Sequence, residues 1–268
     1  MLSQLKIEWM KVKNYRTFWI LLSIVIISIP GINYAFFDSL DNTFPKDKNG
    51  QHMFLGSPFA FPDVWQTVTW TASLLFLAPA LLIITLTTNE FNFRTHRQNV
   101  IDGWSRQQFF VVKLAEVLLL SLLCTVVALL TVLGFGYLAN KAGEDVSIWQ
   151  HSRFLFFYFV QVLSYSMIAF LISILIKRAG LSIGVFFIYF LVEQVIVGVL
   201  RNKYKIQNVN FLPEEVTDRL IPNPYLKAML TKDRPVWEHL IPSLLIVAFL
   251  YLVVYCFVSG RRFLRSDL

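Results

Sequence analysis

FFVVKLAEVLLLSLLCTVVALLTVLGFGYL, residues 109–138, decides the fold of this 268-residue chain. The stretch is apolar on all sides rather than striped. A helix facing water would carry a polar face at a period near 3.6, so lipid or packed neighbours must surround this one. A hydrocarbon core roughly 30 Å thick takes about 20 residues of helix to cross. Helix is the required form, because in lipid a lone segment can satisfy its amides only within itself.

Five further blocks read the same way: residues 18–37, 64–87, 154–176, 181–200 and 240–258. Apolar residues make up 56% of the chain and charged residues 15%, against roughly a quarter charged in soluble domains, so a globular core cannot account for it. The expectation is an all-α integral membrane protein with six transmembrane helices and no soluble domain. Pro30 and Pro79 fall inside spans and are expected to kink them. Pro242 falls at a helix start, where a missing N–H costs nothing.

Charge sets the expected orientation. Lys6, Lys11, Lys13 and Arg16 precede the first span, and Arg94, Arg97, Arg106 and Lys113 gather between the second and third. Lys177 and Arg178 join the fourth to the fifth, and Arg261, Arg262 and Arg265 follow the sixth. This side holds 13 Lys and Arg against five acids, whereas the other holds 11 of each spread over longer loops. The denser basic side is read as cytoplasmic. Six spans then put both termini in the cytoplasm, and the expected location is the bacterial cytoplasmic membrane, as a multi-pass cell-membrane protein. The net charge of +7 is met by anionic lipid headgroups, with no need of nucleic acid. The long polar start and the lack of an A-x-A-like site make the first block a retained span rather than a signal peptide.

Chemistry-bearing motifs are absent. Cys124 and Cys256 fall within spans at different depths, and His52, His96, His151 and His239 are scattered, so neither a disulfide nor a metal site is expected. No phosphate-binding glycine loop and no nucleophile elbow occurs. No cofactor is therefore expected on this chain; if ATP is used, another chain binds it.

Residues 1–16 carry Leu2, Leu5, Trp9 and Val12 on one side and Gln4, Glu8 and Lys11 on the other, the pattern of an interfacial amphipathic helix. The alternative is a plain extension of the first span. In the loop of residues 89–113, Thr95 with Gln98 has capping-box spacing, Gly103 suits a helix stop, and Ser105 with Gln108 repeats the box to open the third span. This predicts a short cytoplasmic helix between stop and start signals. Arg94, His96, Arg97, Gln98 and Asn99 beside Phe91, Phe93 and Trp104 suit docking to a partner; equally, the arginines suit a loop that holds topology.

The run from Glu90 through Thr95 and Arg97 to Gly103, Ser105, Arg106 and Lys113 resembles the loop between the second and third spans of ABC-2-type transporter permeases. In that family an E-x-x-x-x-T-x-R run leads to Gly or Pro, then S-R, then a Lys entering the next span. The resemblance extends in outline to the whole chain. It implies a coupling helix within residues 89–106, seated on a separate ATPase through Glu90, Arg94, Thr95, His96, Arg97, Gly103, Ser105 and Arg106. It further implies a second permease, identical or related, and ATP and Mg on the ATPase subunit.

Within the fifth span Glu193 is a carboxyl deep in hydrocarbon, followed by Gln194. It is either a functional group on a substrate path or a hydrogen-bonded packing residue, with Gln161 of the fourth span as a candidate partner. Residues 201–238 form an outer segment, where Pro213, Glu214 and Glu215 are expected to open a short helix and Pro222-Asn223-Pro224 to break it. Three functions remain: exporter permease, ligand-binding or immunity-type scaffold, and membrane-embedded enzyme, the last lacking convergent polar residues in the spans.

Overall fold

A computed structural model describes residues 2–43, 57–93, 95, 103–140, 147–204, 207–225 and 238–265. These residues are helical or irregular, with no strand among them. The helices are α1 (Leu2–Lys13), α2 (Arg16–Thr43), α3 (Val64–Ser73), α4 (Leu77–Asn92), α5 (Arg106–Ala139), α6 (Arg153–Ile176), α7 (Ala179–Asn202), α8 (Glu215–Asp218) and α9 (Ile241–Arg265). Helices α2, α5, α6, α7 and α9 are each long and apolar enough to cross a membrane, and α3 with α4, bent by 47° at the break between them, is so only as a pair. The protein is thus a multi-pass membrane protein of five to six spans.

The bend has a local cause. Pro79 has no N–H to give the Leu75 carbonyl, and its ring crowds that carbonyl, so the helix breaks over residues 74–76, one turn before it. Phe76, in the break, fills the gap between Tyr165 and Phe190, with ring centroids 4.8 and 4.4 Å away. Pro30 lies inside α2, which runs unbroken through it.

Packing is centred on α6, whose membrane window is 67% buried against 17–39% for the other unbroken spans. It touches α3, α4, α5, α7 and α9. The exposed faces of α2, α5, α7 and α9 are lined with Ile, Leu, Val and Phe, as lipid contact requires. Buried polar groups bond within the bundle: Asn33 on α2, wholly buried, accepts from the Thr71 hydroxyl on α3.

Two ends can be distinguished. At one, Glu8 of α1 meets Lys113 at the start of α5, and Arg106 donates to the Leu264 carbonyl at the end of α9 (3.0 Å). Helix α1 and the last turn of α9 therefore lie at this near end. At the far end Trp65 Nε1 donates to the Ile148 carbonyl and Gln66 Nε2 to the Pro222 carbonyl, tying α3 to the segments before α6 and after α8.

Candidate functional site

At the near end, five charged side chains from three helices converge. Lys113 Nζ on α5 lies 2.7 Å from Glu8 on α1, 2.9 Å from Glu90 on α4 and 3.1 Å from Glu116 one turn along its own helix. Lys11 adds a second cation, 2.7 Å from Glu8 and 3.6 Å from Glu90. Glu8, Glu90 and Lys113 are all buried. The Thr95 hydroxyl donates to the Glu90 carboxylate, so the chain leaving α4 folds back onto the cluster.

Burial alone would raise the Glu8 carboxyl, but the Lys113 ammonium and hydrogen bonds from Lys11 and Lys113 outweigh it and hold the group down at about 2. Such a pairing is strong only while complete, because each ion removed leaves another charge buried without compensation. Beside it lies a cavity of about 240 Å³ bounded by Lys11, Tyr15, Glu90, Phe93 and Thr95.

The cluster also explains how α1 sits. Its inward side is polar, with Glu8 2% exposed, while Trp9 on the next position is 51% exposed. An N-terminal helix covers residues 2–13 and stops before Asn14. Charge holds it to the bundle, together with Val12, which packs against the core, while Ile7, Trp9 and Met10 are exposed.

The loop after α4 partly matches expectation. Helix α4 continues to Asn92, so residues 89–92 are its last turn. Gly103 has φ of +94°, a conformation that a Cβ disfavours. Ser105 and Gln108 form the full capping box: the Gln108 N–H donates to Ser105 Oγ at 3.1 Å and the Ser105 N–H to Gln108 Oε1 at 3.0 Å. Arg94, His96, Arg97 and the expected Thr95–Gln98 box lie outside the described residues. Of the expected coupling residues, the structure unites Glu90 and Thr95 in the cluster. Ser105 and Arg106 form the α5 cap and the tie to α9.

A second polar cluster lies toward the far end. Glu193 Oε1 accepts the backbone N–H groups of Glu214 (2.6 Å) and Glu215 (3.1 Å), which open α8. At 1.5 Å per residue Glu193 lies about 13 Å inside the Asn202 end of α7, so residues 207–221 fold back well into the bundle. Expectation and structure differ here in two ways. Glu193 does not bond Gln161; Gln161 Nε2 donates instead to Asp218 at 2.7 Å, beside the Tyr165 hydroxyl at 2.9 Å. Helix α8 has acids in its first turn, Glu215 and Asp218, as expected, but Pro213 stands two residues before the helix rather than at its first position, and Glu193 from another helix also meets its start. Gln194, half-buried, makes none of these bonds.

Glu8 and Glu116 are site residues that sequence reasoning missed, and Lys113 was seen as a motif position without its partners. The available signal was the i, i+3 spacing of Lys113 and Glu116 at a span entry, where uncompensated charge is costly. Nothing in the sequence paired either with Glu8, 105 residues earlier than Lys113.

Among curated proteins no match is found. The profile of a family described as ABC-2 family transporter protein matches residues 4–193. The match covers well over half of the chain, running from the turn before Glu8 through Glu90 and Lys113 to Glu193. The chain belongs to the ABC-2 family of transporter proteins and is a membrane-spanning permease of that kind.

Proposed function

We propose that this permease forms one half of an ATP-driven exporter, pairs with a second permease, and is driven by a separate ATPase docked beneath residues 89–106. The carrying observation is the Glu8–Lys113–Glu90 cluster. Glu90 stands at one root of the loop and Lys113 near the other, and both are bonded to α1. A push on the loop therefore moves α1, α4 and α5 together rather than bending one strand of chain.

The near end is read as cytoplasmic, from its denser Lys and Arg, which places both termini on the cytoplasmic side of a bacterial-type cell membrane. ATP and Mg belong to the partner subunit. The permease supplies two arrangements of its spans, and nucleotide biases one over the other through the docked loop. The 47° bend in the second span and the folded-back far segment are elements suited to such rearrangement.

The test is co-expression with the candidate ATPase and reconstitution in lipid. The pair is expected to co-purify, and the permease to stimulate ATP hydrolysis. Glu90→Gln and Glu8→Gln are expected to lower that stimulation while leaving hydrolysis by the isolated ATPase unchanged. A permease isolated intact from native membrane with no ATPase, and without effect on one, overturns the reading. Export direction is read separately, as ATP-dependent uptake into inverted vesicles.

A further inference from the structure

Glu214 immediately precedes α8 and is wholly buried, yet neither of its carboxyl oxygens has a hydrogen-bond partner among the described residues. Its own N–H is bound by the carboxylate of Glu193, so two acidic side chains of different segments are brought close together. We propose that Glu214 is a proton-binding site, and that the proton it carries holds the far-side segment, residues 207–221, inside the bundle.

The groups facing it from each packed element leave no other neutraliser. From α7 come Glu193, Tyr189 and Arg201; from α8 itself Glu215 and Asp218, with Arg219 just after it. Helix α6 contributes Tyr165, and α9 contributes Tyr251 and Tyr255. Both guanidiniums are bonded to Glu215, Arg201 through Nη2 and Arg219 through Nε at 2.6 Å. Asp218 is held by Gln161 and Tyr165. An ionised Glu214 would thus be a bare buried charge beside Glu193, a state that burial penalises heavily. A metal ion fits poorly, since among the described residues no three or more His, Cys, Asp or Glu side chains converge on a site that could hold one.

Burial, then the charges of Glu193 and Asp218, push the Glu214 carboxyl up to about 9 from 4.5. Burial also lifts Asp218, to about 7, despite the hydrogen bonds from Gln161 and Tyr165. A group whose value is higher docked than free takes up a proton on docking. Docking is therefore fully favoured below the free value of 4.5 and weakens as pH rises toward about 9. Asp218 is half-titrated at about 7 and shares the dependence up to about pH 8, above which Glu214 alone carries it.

Hydrogen exchange of residues 209–220 in the full chain in nanodiscs, corrected for the intrinsic effect of pH, tests this. Protection is expected to fall about tenfold per unit from pH 8 to pH 9, the slope of one proton. Glu214→Gln, a permanently neutral mimic, is expected to be flat over that range and as protected as wild type at pH 7. Wild-type protection that does not change with pH, or that is restored at pH 9 by sodium or calcium chloride, overturns the proposal. Should the variant fail to assemble, the wild-type infrared difference spectrum between pH 8 and pH 9 decides. Loss of a protonated carboxyl band with gain of a carboxylate band supports the site, and absence of that exchange overturns it.

Discussion

Lys113 Nζ lies 2.9 Å from Glu90 Oε1, although 23 residues and a helix end separate the two in the chain. The bond joins the exit of the second span to the entry of the third. Because the same ammonium also binds Glu8 and Glu116, Lys113→Met strips three carboxylates of their common cation. The expected loss of stability is on the order of 3–5 kcal/mol, the usual cost of breaking a buried pair from one side. Adding Glu8→Gln should recover part of it, with a coupling of roughly 0.5–3 kcal/mol in a double-mutant cycle. Thermal unfolding in nanodiscs reads both; an unchanged midpoint for Lys113→Met would mean that the cluster adds nothing.

The hold on α1 should be lost in acid. The Glu8 carboxyl is lowered from 4.5 to about 2, so its contribution is complete above 4.5 and disappears as pH falls through about 2. A shift of this size corresponds to on the order of 3–4 kcal/mol. Trp9 packs edge-on to Trp19, with centroids 6.0 Å apart, and offers an optical probe. Acidification from pH 5 to pH 2 should change the fluorescence of wild type but not of Trp9→Phe. Glu8→Gln should show the altered signal already at pH 5.

Glu193 accepts two N–H groups through one oxygen, and an amide keeps an acceptor there while a hydrocarbon does not. Glu193→Gln should therefore be milder than Glu193→Leu. The leucine variant leaves two buried donors unpaired, at about 1–3 kcal/mol for each. Melting temperatures in the order wild type, Gln, Leu are expected. Equal values for Gln and Leu would show that the carboxylate does not hold α8.

Gly136, near the far end of α5, faces the Phe61 ring so closely that a Cβ would stand 2.5 Å from it. Gly136→Ala should cost about 1–3 kcal/mol by overpacking. Phe61→Leu in the same chain should relieve that cost, and denaturation of the two singles and the double checks it. Additive losses would count against the contact.

Spans were legible because twenty apolar residues in a row admit few other fates. The fourth was read as residues 154–176 and is Arg153–Ile176; the fifth as 181–200 and is Ala179–Asn202. Ends were read short where helices continue past the apolar run, as in the first span, which reaches Thr43, and the sixth, which reaches Arg265. The Ser105 cap was legible because its partner is three residues away. Contacts across the sequence were not: Gln161 offered an amide without naming its acceptor, and Asp218 is 57 residues distant. The inward turn of Glu8 was hidden for a different reason. Amphipathic patterning tells which residues share a face of α1, but in a membrane the apolar face can look outward, so pattern alone does not say which face meets protein.

The bond from Glu193 to α8 carries a consequence for how the chain is made. Glu193 precedes its partners by 21 and 22 residues, and those partners lie beyond the membrane exit of α7. During synthesis Glu193 is made before residues 214 and 215, so its helix is complete before the two N–H groups that it binds in the folded chain exist. Closure of this part of the bundle is thus a late step of biogenesis.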